Sequence, residues 1–461
     1  MRKIKPVKTR EQRLYEWDKW MDIYNGEVHD YWIPESNKKE KKEYIVVNYA
    51  QKVPQHIARI LTNKKPKITV QDPDIQKFID KVVFNNHLIE NLPGAIIATM
   101  VLGDYLVRTT YRRINENSPK PQVCIDFVHP EWYVPKMDSW DKSKVKTNEL
   151  IFENEEEGVQ YKRIEKDSYN LFSEEFYVKT DKDADFVLVN GQKIEHDGGL
   201  LIQHLAIDAL PNEFWGRSIY KTTESLFRSL NEFITQVADV IRKHGKPKMA
   251  VPPSTFRELV KRSPVYEDAQ GNRYVMVKNR EVYCVEEGEK NPEYIVWDAK
   301  LDSTFELIKL LQIAISVIND IPADVLRNTD TSIPASGVAM DIMHLTSKYR
   351  AAEIAKIFKK SLETALYQAQ LLEIDKGTEL TGKKAEWVNV EFELDIPVNN
   401  DEHVKNEIYK YEKGVQSRKR TVIRVNDLNA NELEEELELI KQDKAAPKPS
   451  ETSHNQLEQT G

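Results

Sequence analysis

Cysteine is nearly absent. Cys124 and Cys284 are the only two in 461 residues, too few for a disulfide framework or a cysteine-based zinc site. Long apolar runs are missing too: no stretch approaches the ~18 residues that cross a bilayer, so no membrane partner is expected. The first thirteen residues hold six Lys/Arg and no apolar core, which does not read as a secretory signal. Ten histidines are scattered, with no pair at i, i+4, so no metal centre is expected. There is no G-x-S-x-G around a nucleophilic serine. Excess positive charge is lacking as well. Against 67 Lys+Arg stand 75 Asp+Glu, a net −8, which argues against wrapping nucleic acid by blanket charge attraction.

What remains is 40% hydrophobic and 31% charged, enough for a substantial core beneath a highly charged surface, in roughly three ~150-residue units. Trp17, Trp20, Met21 and Tyr24 share one face of a helix within residues 14–32, stopped at Asn25-Gly26. Residues 36–43 (SNKKEKKE) read as a charged loop, and Tyr44 to Ile68 as a short strand and then a helix carrying Ile57, Ile60 and Leu61. A helical pattern over 74–102 is broken at Pro93-Gly94. Strands follow at 104–111, 123–135, 160–164, 175–178 and 186–189, with a hairpin turn expected at Asn190-Gly191.

The second half changes character. Ile219, Leu226, Phe227, Leu230, Phe233, Ile234, Val237, Val240 and Ile241 define an amphipathic helix over 218–244, a rod of ~40 Å. Residues 246–299 revert to short strands and turns, with nine Lys/Arg balanced by nine Asp/Glu. A second helix, 302–319, carries Phe305, Ile308, Leu311, Ile315 and Ile318 on one face. A polar loop bracketed by Pro322 and Pro334 leads into a very long helix over 337–374. Residues 385–396 alternate as a strand, helices are expected near 400–413 and 427–442, and the Pro/Lys/Ser/Gln-rich end from Lys444 reads as disordered.

Chemistry-bearing motifs are few. Gly377 to Lys383 spells G-x-x-x-x-G-K, but Lys384 stands where a phosphate loop needs a Ser/Thr hydroxyl. The flanking order, helix before and strand after, is also reversed, so these residues read as a turn and no cofactor is expected. Asp324 and Asp330 could ligate a metal or exchange a proton, but no His or third carboxylate stands beside them, and a solvated loop is the better reading. No catalytic residue is assigned, and the chain is not expected to be an enzyme.

The second half resembles the portal proteins of tailed bacteriophages, in the gene-product-six-like portal family. The resemblance rests on stretches in one order: Asn212-Glu-Phe-Trp-Gly216-Arg-Ser218 before the long helix with Ser229-Leu230-Asn231; Ser336-Gly337-Val-Ala339-Met340; Val390 through Asn399; and Gly414-Val-Gln-Ser417 through Thr421. Tyr24-Asn-Gly26 and Gly103-Asp104 fit more weakly, and Arg418-Lys419-Arg420 depart from the pattern by their basicity.

This resemblance implies a mixed α/β portal fold with an α/β wing, a long helical stem, a small α/β clip and a helical crown. Residues 1–217 with 376–398 would be the wing, 218–245 and 300–320 the stem, 246–299 the clip, 321–335 the tunnel loop, 337–374 the long wing helix, 399–443 the crown and 444–461 a disordered tail. It implies a ring, usually of twelve subunits, at one capsid vertex, channelling double-stranded DNA during packaging and ejection. The implied partners are the terminase large subunit, the major capsid and scaffolding proteins, and head-completion or tail adaptor proteins. The implied location is the virion, with the host cytoplasm during assembly. Asp324, Arg327, Asn328 and Asp330 would face the DNA channel. Arg257, Lys261, Arg262, Arg273, Lys278 and Arg280 would face terminase or the adaptor. Twelve copies at −8 give −96, a field in which DNA slides rather than sticks. Competing readings are a nucleic-acid-processing enzyme with an unrecognised site, which predicts turnover, and a helical scaffold, which predicts sustained heptads.

Overall fold

The computed structural model describes residues 9–33, 44–113, 120–141, 144–180, 185–211, 213–244, 248–267, 271, 273–277, 280–284, 293–295, 301–327, 342–394, 400–426 and 430–445. The chain divides into two compact units, residues 1–328 with 346–395 and residues 329–345 with 396–461. The expected loop 36–43 and tail 446–461 lie outside the described residues.

Helix α1 (Arg10–Asn25) opens on a reciprocal capping box between Thr9 and Gln12 and ends on Gly26 at φ 84°. It starts four residues before the apolar pattern does, because the cap lies upstream of the first tryptophan. Trp17, Trp20 and Ile23 are buried, whereas Met21 and Tyr24 are only half-buried. After a single turn, α2 (His29–Trp32), residues 44–48 are not a strand. The Ile45 and Val47 N–H groups donate instead to Thr235 Oγ1 (3.1 Å) and Asn231 Oδ1 (2.6 Å), so side chains satisfy backbone that a neighbouring strand would otherwise pair.

Helices α3 (Tyr49–Thr62), α4 (Pro73–Asn85) and α5 (Leu88–Leu102) build the first core. The break in the 74–102 pattern falls at Asn86-His87, where His87 is left-handed at φ 51°, while Pro93 and Gly94 lie inside α5. Asn86 accounts for this: its side chain donates to Val82 O (2.8 Å) and accepts from Ile125 N–H (3.1 Å), closing one helix and pinning it to a strand. Apolar from Leu92 onward apart from Thr99, α5 buries most of its second half.

Strand β1 (Lys67–Thr69) stands apart from the sheets that follow. β2 (Asp104–Arg112) lies between β3 (Gln122–Val128) and β9 (Ile202–Ala206). A second, fully antiparallel sheet runs β4-β5-β6-β7-β8: Lys136–Met137, Val145–Glu156, Val159–Ser168, Leu171–Lys179 and Val187–Glu195. Its tight turns are Glu157-Gly158, both at positive φ, and Tyr169-Asn170. Asn190-Gly191 is no turn: both residues lie within β8, opposite Phe176 and Glu175, beside a register shift that leaves Val189 bulged. Between the sheets sits a buried ionic cluster. Arg108 Nη1 donates to both Glu165 oxygens (2.7 Å each), and its Nη2 donates to Asp126 (2.8 Å).

The long helix α6 is shorter than the apolar pattern, spanning Glu224–His244, because Ile219–Lys221 form a 3₁₀ turn capped by Ser218 Oγ. Among the described residues of 246–299 are five strands in the order β11-β12-β13-β10-β14, namely Val265–Glu267, Arg273–Val277, Arg280–Cys284, Lys248–Val251 and Glu293–Ile295. The same segment also holds a helix that strand-only reading missed, α7 (Pro253–Val260). Phe256 of α7 packs with Val251, Val275 and Val282, with Leu259 against them.

Helix α8 (Asp302–Ile318) matches its expected span, but of its five predicted face residues only Ile315 is buried. The Pro-bracketed segment is not all loop, since Asp324–Arg327 form a helical turn, α9. The very long helix α10 spans Leu345–Lys376, 32 residues or about 48 Å; residues 337–341 of its expected span lie outside the described residues.

The expected strand 385–396 shrinks to β15 (Asn389–Glu391), paired with β1. Upstream of it the backbone is taken by helix side chains: Gln370 exchanges two 2.9 Å hydrogen bonds with the Glu386 peptide. Where two helices were expected between 400 and 442, the described residues form three: α11 (Asn400–Glu412), α12 (Arg418–Asn426) and α13 (Ala430–Ala445). Glu407 ties the first pair, accepting from Gln416 Nε2 (2.7 Å) and pairing with Lys410 and Arg424.

Candidate functional site

Two sequence stretches that looked unrelated meet at the base of α6. Gly216 lies so close to Gly103 that a Cβ on it would stand 2.0 Å from the Gly103 carbonyl oxygen and 2.8 Å from the Ile207 backbone. The buried Asp104 carboxylate accepts from Gly216 N–H (2.7 Å) and meets His204 Nε2 (2.9 Å). His204 stacks on Phe214 with centroids 4.3 Å apart, and Tyr133, Trp215 and Trp17 complete an aromatic cluster. The Arg13 guanidinium caps it, 4.1 Å from the Trp215 ring. The 213–218 motif is thus a tightly packed block just ahead of α6.

From that block α6 runs beside α8, and the two pack together along their inner faces. Asn231 is almost fully buried. Its side chain donates to Phe227 O (2.8 Å) and accepts from Val47 N–H, fixing the first turns of α6 to residues 44–48. Gln312 on α8 reaches Tyr49 Oη at 3.3 Å. Farther along α8 the apolar side chains are uncovered: Leu310 is 60% exposed and Val317 70%, with Phe305, Ile313 and Ile318 between about 39% and 49%. Ile342, just before α10, and Leu345 and Tyr349 at its start are exposed as well.

At the far end of α8, Ile321, Pro322 and Leu326 are buried and anchor α9, leaving Asp324 exposed on its first turn. Arg327 closes that turn through its backbone; its side chain, and Asn328 and Asp330 entirely, lie outside the described residues. Beside this segment, Arg350 at the start of α10 grips Asp208 through two hydrogen bonds (2.7 and 2.5 Å). Burial opposes the Arg350 charge, but Asp208 and Glu353 outweigh it and hold its pKa above the ordinary value. Burial also raises the neighbouring Asp320 carboxyl. A cavity of about 470 Å³ opens here between Arg217, Lys221, Asp320 and Arg350.

The structure brings Arg257, Lys261 and Arg262 together at the C-terminal end of α7, all exposed, while Arg273 is exposed at the start of β12. Arg280 begins β13 with its side chain outside the described residues, as is all of Lys278. The signal for α7 was present in the sequence: Pro253 at the first helical position and the Phe256, Leu259, Val260 spacing. The Asp208–Arg350 grip joins residues 142 positions apart and carried no local signal.

The G-x-x-x-x-G-K stretch is a turn. Glu373 Oε1 accepts from the Thr378 and Glu379 N–H groups (2.8 and 3.0 Å), filling the space where a phosphate would sit. Lys383 is held by Asp72 and Asp74 at 2.7 and 2.9 Å. Among the described residues, no group of three His, Cys, Asp or Glu is arranged to hold a metal, and no helix is long and apolar enough to cross a membrane.

No protein-family model and no curated protein matches the chain. Among solved structures it is similar to a chain of the virion of a native gene transfer agent particle, with a TM-score of 0.46 and 11% identity, over 86% of this chain and 94% of that one. It is similar in the same measure to a chain from the neck of an empty gene transfer agent particle, with a TM-score of 0.46 and 10% identity over the same shares.

Proposed function

We propose that this chain is a portal protein, a non-enzymatic subunit of a ring at one capsid vertex through which double-stranded DNA enters and leaves. The observation that carries the proposal is the paired helices α6 and α8. They flank a small sheet domain, and α8 keeps an uncovered apolar stripe through Leu310, Ile313 and Val317. Completing the burial of three such side chains is worth on the order of 3 kcal/mol per interface. A head-to-tail neighbour covers such a stripe in every subunit only if the rotation closes.

In this reading residues 246–299 form the clip, and Arg257, Lys261, Arg262 and Arg273 meet the terminase or, later, the adaptor. The segment 321–335 lines the channel. There Arg327, flanked by Asp324 and Asp330, makes transient phosphate contacts, and Arg327→Ala slows packaging. Unchanged packaging would assign Arg327 to an ion pair between subunits instead. The reading itself is tested by light scattering and negative-stain images of the purified protein. A ring near twelve times 53.7 kDa with a central hole supports it. A monomer at all concentrations, or a discrete dimer with measurable turnover on nucleic acid, refutes it.

A further inference from the structure

The sheet β4-β5-β6-β7-β8 is open at both sides of one end. On β5, pairing to β4, the Tyr133–Leu150 bridge and the Val134 N–H bond to Glu149 protect the outer edge only as far as Leu150. Beyond it, among the described residues, nothing pairs with the outer edge of Ile151–Glu156. On the opposite side β8 is the last strand, and Val187, Leu188 and Val189 are 65%, 54% and 66% exposed. An uncovered apolar edge strand is a template for another strand and is rarely left open.

The two open edges differ in charge. Residues 151–157 carry Glu153, Glu155, Glu156 and Glu157 with no cation. Residues 187–193 carry only Lys193, and Lys162 and Lys179 lie near the Phe186 ring, at 5.3 and 5.8 Å, beside the start of that strand. The acidic edge cannot pair with its own copy, because like charges would stand opposite one another. The near-neutral β8 edge is the complement the molecule itself provides. Strand direction agrees. Successive antiparallel pairings make β5 and β8 run oppositely, so a rotated copy presents its β5 antiparallel to β8. The levels agree too: Leu188 pairs with Tyr177, Tyr177 with Lys162 and Lys162 with Glu153. A straight continuation of the sheet therefore sets Leu188 opposite Glu153 of the next copy.

We propose that β8 of one subunit adds to the outer edge of β5 in the next, at Ile151–Glu156, joining neighbouring sheets around the assembly. The pairing rests on the ring reading above and names a contact that the helical stripe does not require.

The test is a cysteine pair, Leu188→Cys with Glu153→Cys, in a Cys284→Ser chain, Cys124 being buried. Leu188→Cys with Ile151→Cys or with Glu155→Cys samples the registers on either side. Directly opposite residues on paired strands lie within disulfide reach. Mild oxidation is expected to give a covalent ladder running past the dimer, requiring both cysteines. Hydrogen exchange of the unsubstituted chain is expected to slow roughly tenfold or more at both 151–156 and 187–192 on assembly. Rings without a ladder at any register, or protection of only one stretch, overturn the edge pairing and leave the ring reading standing. Dimers from Leu188→Cys alone mean that β8 pairs with itself, which also overturns it. A chain that forms no ring refutes the underlying reading, and this pairing with it.

Discussion

Asp167 offers the most quantitative handle on the fold. It is wholly buried on β6, where its Oδ1 accepts from Leu201 N–H at 3.0 Å and its Oδ2 from Ile202 N–H (3.0 Å) and Asn148 Nδ2 (2.8 Å). Burial outweighs those three donors and pushes its pKa from 3.8 up to about 6. Below about pH 4 the folded and unfolded chains both hold the proton. Between about 4 and 6 only the folded chain does, so unfolding releases it and stability falls as pH rises. Above about 6 both are ionised and the contribution is lost. A difference of about two pH units, at ~1.4 kcal/mol each, makes roughly 3 kcal/mol over that window.

Asp167→Asn removes the titration. Its amide keeps one oxygen, best aimed at Ile202 N–H and Asn148, and turns an NH₂ toward Leu201 N–H, which costs about 1–3 kcal/mol. Urea unfolding followed by tryptophan fluorescence at fixed protein concentration, at half-unit steps from pH 4 to 8, compares the two chains. The stability of the unsubstituted chain minus that of Asp167→Asn should fall by about 3 kcal/mol from pH 4 to 6 and stay flat above 7. Parallel pH profiles would refute the assignment of this titration to Asp167.

Gly216→Ala forces backbone against backbone at Gly103 and Ile207, where no rotamer gives relief; a loss of about 3 kcal/mol or more is expected in the same unfolding assay, against no loss for Gly94→Ala, which has open space and an ordinary helical backbone. Val317→Asp, 70% exposed on α8, should leave the monomer's thermal unfolding within about 0.5 kcal/mol while abolishing rings in negative stain; intact rings would remove the stripe from the interface. Glu407 is buried, which would raise its pKa, but hydrogen bonds from Lys410 and Gln416 and the charges of Lys410 and Arg424 bring it down to about 2. Its contribution is therefore present above about pH 4.5 and lost as pH falls through about 2. Glu407→Gln should speed hydrogen exchange in α11 and α12 at pH 7, and unchanged exchange would mean the three partners do not hold that pair.

Elements with a strong local signal were legible. The Trp17, Trp20 face and the Gly26 stop of α1, the span of α8 and the glycine turn at 377–383 all follow from spacing, a cap or a missing hydroxyl. Of the residues expected to face a channel, only Asp324 is described with its side chain, exposed on a helical turn; of those expected to face a partner, Arg257, Lys261, Arg262 and Arg273 are exposed. Misreadings share one cause. Residues 44–48 and 385–388 look like strands because they alternate, but their partners are Asn231, Thr235 and Gln370 on distant helices. Asn190-Gly191 looks like a turn, yet Phe176 and Glu175 on β7 hold it in a ladder.

By itself the sequence determined the inventory: mixed helix and strand, a net negative charge, and two amphipathic helices around a small strand-rich insert. Those are properties of periodicity and composition, which act over a few turns of chain. Only the tertiary structure decided that Gly103 and Gly216 touch, that Asp208 and Arg350 clasp, that α8 keeps its apolar stripe bare, and that one sheet has two open edges of unlike charge. Each depends on which distant groups reach one another in space, where backbone donors and acceptors find whatever partner lies nearest.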